Sequence, residues 1–160
     1  QSYALYFFFL KWMEQPSERL GIDPSLRIGI PAIDKEHLEL VRQLDRLMSD
    51  PKSNPGSERF SEAMSEIGRH LRLHCSNEEK LMKSLGMPAV DLENMTREHH
   101  HALEEYTRVN DELMHGKLKS RTEALGLFKA WIIDHMVHHD LKIRAYVPTI
   151  ERRDGDCSTR

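Results

Sequence analysis

Ten histidines stand in a chain of 160 residues, and imidazole is the commonest metal ligand and the side chain that titrates nearest neutral pH. Four of them, His37, His74, His99 and His135, fall on apolar stripes at helical spacing, one in each of four separate segments. Glu78 follows His74 by four positions, so both groups lie on one face of a helix, one turn apart. A lone histidine on an apolar face is usually a hydrogen-bonded core residue. Four of them at matching depths, with a carboxylate on the same stripe, fit that explanation poorly. Burying Glu78 without a partner is strongly unfavourable or forces its protonation. A cation shared among these side chains removes the difficulty, so the pattern reads as a metal site across a bundle core.

The elements that must position these groups are marked by clear breakers. The first helix is predicted over 32–48, with Pro31 suited to a first helical position. It stops at SDPKSNPG (49–56), which is loop chemistry throughout. The second runs over 58–85 and ends at Gly86, with Pro88 beyond. The third covers 91–115 and ends at Gly116. The fourth opens with the capping-box pattern Ser120-x-x-Glu123 and continues to 147, before Pro148. The stripes are Ile33, His37, Leu40, Leu44 and Leu47; Phe60, Met64, Ile67, Leu71, His74, Glu78, Leu81 and Leu85; Leu92, Met95, His99, Ala102, Tyr106, Val109 and Leu113; and Leu125, Phe128, Ile132, His135, His139 and Ile143. Each has the period of an amphipathic helix. The prediction is an all-α, antiparallel up-and-down four-helix bundle. Residues 26–151 form the bundle, 1–25 an N-terminal arm or linker, and 152–160 a polar tail.

Composition narrows the partners. The net charge of −3, with 39% hydrophobic and 31% charged residues, describes an ordinary globular chain without the basic field that nucleic acid requires. The apolar stretch at 3–13 (YALYFFFLKWM) is well under the roughly 20 residues of a membrane-spanning helix and lacks a signal-peptide cleavage pattern. It reads as an amphipathic arm or as the end of something longer. The two cysteines, Cys75 and Cys157, sit in a helical pattern and a polar tail, so no disulfide framework is expected and the setting reads as cytoplasmic.

Neutral imidazoles with carboxylates suit iron, and bundle cores are where dinuclear carboxylate sites are built. A second carboxylate is available at Asp140, five residues after His135. On an ideal helix, however, it lies roughly 140° off the line of His135, and His139 is better aligned; spacing alone leaves the choice open. No His-Glu-x-x-His occurs, which excludes the zinc-protease motif. Ferritin-like chemistry needs Glu-x-x-His on two helices, and Glu98-x-x-His101 supplies it on one. Cys75 adjoins His74, but neighbours about 100° apart on a helix do not face each other. His70, His100 and His101 read as surface residues, and His115 as a cation suited to a helix C-terminus.

The segments IGIPAIDKEH (28–37), HCSNEEKLM (74–82) and WIIDHMVHHD (131–140) resemble the signature segments of bacterial hemerythrins, over roughly 26–147. That family has a histidine on the first helix, His-x-x-x-Glu on the second, His-x-x-x-His on the third and His-x-x-x-x-Asp on the fourth. The resemblance implies metal ligands at His37, His74, Glu78, His135 and Asp140, with the two carboxylates bridging. It favours Asp140 over His139, which a local distortion of the fourth helix would reconcile with geometry. The third helix departs from the pattern, since MTREHHHALEEY (95–106) contains no His-x-x-x-His. The register on the core stripe makes His99 the ligand and leaves Met95 at the missing histidine; a rival register pairs His100 with Glu104 or His101 with Glu105. The resemblance further implies a cofactor of two iron ions and dioxygen as ligand, with small anions as candidates for the position left open beside Met95. The function expected is oxygen or redox sensing, alone or for a signalling output domain. The alternatives are an oxygen carrier or store, an enzyme with weak peroxidase or oxidase activity, and a metal-free helical interaction module.

Overall fold

The computed structural model describes residues 26–117 and 120–148; the predicted N-terminal arm and the C-terminal tail from 152 lie outside them. Four α-helices make up the described residues: α1 (Pro31–Ser49), α2 (Glu58–Ser84), α3 (Ala89–Met114) and α4 (Arg121–His138). A 3₁₀ helix over Asp140–Tyr146 follows, and no strand occurs among the described residues. Each α-helix packs against two others, α1 and α3 both lying against α2 and α4. Successive helices joined by short loops give the up-and-down four-helix bundle.

Local chemistry sets the ends. Pro31 occupies the first turn of α1, and the Asp34 carboxylate accepts from the backbone amides of Ile28 (2.8 Å) and Gly29 (3.2 Å) just upstream. Ser57 and Ser120 accept from Phe60 N and Glu123 N, each at 3.2 Å, to cap α2 and α4. Gly86, with φ +68°, supplies the left-handed residue that ends α2. The amide of Met87 then returns to the Met82 carbonyl and that of Gly86 to Lys83, each at 3.1 Å.

The fourth segment differs from its predicted form. The α-helix closes at His138 rather than continuing to 147, and the chain tightens into 3₁₀ winding from Asp140. The reason lies in the interior, where Asp140 is turned in and fully buried against His37 and His135.

The apolar interior falls into two clusters. The larger contains Leu44, Phe60, Met64, Ile67, Leu125 and Phe128, and reaches Leu40, Leu71, Ala102 and Met136. The smaller contains Ile28, Ile33, Met82, Met95 and Ile143. Along α1, α2 and α3, and at Asp140 in the fourth segment, the buried histidine or carboxylate falls between residues of the two clusters. A polar layer therefore crosses the bundle, and it is the layer that the interrupted stripes foretold.

Candidate metal centre

All six residues singled out in the sequence meet in this layer, and each is buried, from fully so at Glu78 and Asp140 to 7% exposed at His135. Asp140 spans two helices: one oxygen, Oδ2, lies 3.1 Å from His37 Nε2, and the other, Oδ1, 3.0 Å from His135 Nε2. Glu78 does the same from α2. Its Oε2 stands 3.1 Å from His99 Nε2 and 3.7 Å from His74 Nε2, and its Oε1 3.8 Å from His37 Nε2. The ring centroids run 4.5 Å from His37 to His74, 6.3 Å on to His99 and 5.4 Å on to His135.

Two donor groups result, each with its ligand atoms within 4.8 Å of one another: His37, His74, Glu78 and Asp140, and Glu78, His99, His135 and Asp140. They share both carboxylates.

Two further glutamates, not selected in the sequence, hold the rings in place. His74 Nδ1 lies 3.2 Å from Glu36 Oε2, and Asn77 donates to the other oxygen of Glu36 at 2.7 Å. His99 Nδ1 lies 2.9 Å from Glu79 Oε1. Each carboxylate thus takes the outer nitrogen of an imidazole and leaves Nε2 pointing to Glu78, the arrangement that orients metal-binding histidines. The available signal was adjacency: Glu36 precedes His37, and Glu79 follows Glu78.

Electrostatics in the metal-free chain follow from this crowding. Burial works against charge on His37, but Asp140 and Glu78 outweigh it and raise its pKa. His99 is likewise raised, by Glu78 and Glu79 against the cost of burial. Asp140 is held well below the usual carboxylate range, since His135 and His37 outweigh its own desolvation. Glu36 is lowered by His74 and Asn77, again against burial. Cys75 is free and buried, and burial, with Glu78 and Glu79 nearby, pushes its thiol up to about 12. It is an inert packing group at neutral pH.

The other histidines stand apart from the layer. His100 and His101 are exposed, with the His101 ring 5.8 Å from that of Trp131, so the rival third-helix register brings no ligand to the centre. His70 is half-buried rather than exposed and lies 3.1 Å from Glu66. His115 ends α3 beside Asp111. His139, which ideal-helix geometry favoured, is half-buried and stacks on His135 from outside, at 5.0 Å. Met95 packs in the smaller apolar cluster with Met82 and Ile143.

The hemerythrin HHE cation-binding domain profile matches residues 28–147. The chain belongs to this family. No curated protein and no solved structure matches it. The family is described as a cation-binding domain, and the side chains of the histidine–carboxylate layer could hold a cation. Asp140 Oδ1 and Oδ2, Glu78 Oε1, and Nε2 of His37 and His135 are all buried without a well-formed hydrogen bond. Buried acceptors left in that state are rare and strongly unfavourable; a bound cation satisfies them together.

Proposed function

We propose that this hemerythrin-family domain holds two iron ions and binds dioxygen as an oxygen or redox sensor, serving a signalling output in a larger protein. One observation carries the reading: the two donor groups share Glu78 and Asp140. Two ions held there would use every inward-facing donor: His37 and His74 would hold one, His99 and His135 the other, and Glu78 and Asp140 would serve both. Imidazole and carboxylate together suit iron. Two iron ions bound there would supply reversible, redox-linked binding of dioxygen.

The protein's share is orientation and exclusion of water. Glu36 and Glu79 fix two rings from outside. Trp131 stacks on His135 with centroids 5.6 Å apart. Leu40, Leu71, Ile132 and Met136 help to close a cavity of about 10 Å³ against the histidines, room for about one water-sized guest. An apolar wall there disfavours the charged species that water and protons would introduce. The free thiol of Cys75 suits a reducing, cytoplasmic setting.

Met95 stands where the family pattern has a histidine. A thioether is a soft, weak ligand for iron, and Met95 packs among apolar side chains. An ion held by His99 and His135 would then have one imidazole fewer, leaving room for water or a small anion. Such a centre would be more prone to oxidation, which favours sensing over carriage. The absorption spectrum after aerating the reduced, iron-loaded chain tests the reading. An oxygen adduct that decays to a diferric spectrum is expected, and Met95→His should lengthen its lifetime. A chain that forms neither an adduct nor diferric bands contradicts the proposal, and sustained turnover of peroxide or dioxygen would make the domain an enzyme instead.

A further inference from the structure

The inner layer is closed: none of its six residues exceeds 7% exposure, so an ion must be delivered to it. Beside His135, Glu98 of α3 and His139 at the end of α4 meet at the surface, Nε2 to Oε2 3.7 Å, with side chains 36% and 29% exposed. The His139 ring stacks on His135, centroids 5.0 Å apart and planes within 21°. One ligand atom from each of Glu98, His135 and His139 lies within 4.8 Å of the others. An ion bound at about 2.1 Å from each would require the stacked His135 and His139 rings to turn their nitrogens toward one point and half-exposed Glu98 to move inward. Two imidazoles and a carboxylate, completed by water, are a donor set for a divalent transition-metal ion. His139 also stands on the wall of an open groove of about 340 Å³ that includes Asp91, Asn94 and Met95, through which a hydrated ion can approach.

His135 belongs to both the outer and the inner group. Among the described residues its Nδ1 is buried without a hydrogen-bond partner, whereas the corresponding nitrogens of His74 and His99 are held by Glu36 and Glu79. No carboxylate fixes this ring to the inner side alone. We propose that Glu98, His139 and His135 form an outer divalent-metal site that loads the His99–His135 half of the inner centre. The ion exchanges water for the three outer donors, then leaves Glu98 and His139 as His99, Glu78 and Asp140 take their place. The outer site empties as the inner one fills, and the final metal content is that of the inner centre alone. This rests on the two-metal reading above.

The test follows uptake of Co²⁺ by the full, metal-stripped chain through its visible absorption, with the end-point content fixed by elemental analysis. A chain carrying both Glu98→Gln and His139→Gln should load several-fold more slowly than the wild type and reach the same final content. Matching helical circular dichroism would establish that it is folded. An unchanged rate with unchanged content overturns the outer site and leaves the inner centre standing. A lower content at an unchanged rate also overturns it, because the pair would then be permanent ligands. A wild-type chain that takes up no cobalt overturns both readings.

Discussion

Asp140 and Glu78 each face histidines from more than one helix, with separations between 3.0 and 3.8 Å, so neither can be changed without touching both halves of the centre. Asp140→Asn keeps the shape but removes the charge and one acceptor oxygen. Its metal content at saturation should fall below that of the wild type, as read by elemental analysis. Glu79→Gln acts differently, because Glu79 meets the outer nitrogen of His99. It should weaken metal affinity by about 10–100-fold in a competition titration while leaving the saturated content unchanged. Protons report the same contacts in the metal-free chain. His37 and His99 have pKa values raised above 6.5, so their stabilisation is complete below 6.5 and is lost as pH climbs through the raised values. Asp140 is depressed below 3.8, so its contribution is present above 3.8 and is lost as pH falls through the depressed value. Thermal midpoints of the metal-free chain should therefore be highest between these two limits and decline on the alkaline side. Metal binding needs neutral imidazoles, so the loaded chain should show the opposite trend over the same alkaline range.

Helix α4 shows how far periodicity carries a reading and where it stops. His37, His74, Glu78, His99 and His135 were legible because each interrupts an apolar stripe on a regular helix, and regular helices keep their register. Asp140 was not legible by that route, since the winding changes at His139 and the ideal-helix angle no longer applies; the resemblance to hemerythrins supplied it. Glu36 and Glu79 escaped because they lie off the stripes and act on the outer edges of the rings. Another close fit could not be read from one sequence. Gly68 on α2 faces Tyr106 on α3, and a Cβ at Gly68 would come within 2.6 Å of the Tyr106 ring. The Tyr106 hydroxyl meanwhile donates to the Met64 carbonyl at 2.5 Å, which holds the ring across the gap. Gly68→Ala gains helix propensity but must displace that ring. The overpacking should dominate, with a net loss of about 1–3 kcal/mol in denaturant unfolding; a stabilised variant would contradict the close approach.

At the scale of the whole molecule, a polar layer divides the apolar interior into two clusters, and on the proposed reading a bound cation would make that division stable. Without it, buried acceptors on Glu78 and Asp140 lack proper partners; with it, all four helical segments are tied to one centre. Chelation should therefore lower the unfolding midpoint. Restoring free metal to about 100 times its Kd should return about 2.7 kcal/mol per ion bound, measured by differential scanning calorimetry with and without metal. The most direct test of the two-ion centre is an anomalous difference map from crystals of the iron-loaded chain, collected at the iron edge. Two peaks are predicted inside the layer, one between His37 and His74 and one between His99 and His135, with Glu78 and Asp140 reaching both. A single peak, or none among these six side chains, would contradict it.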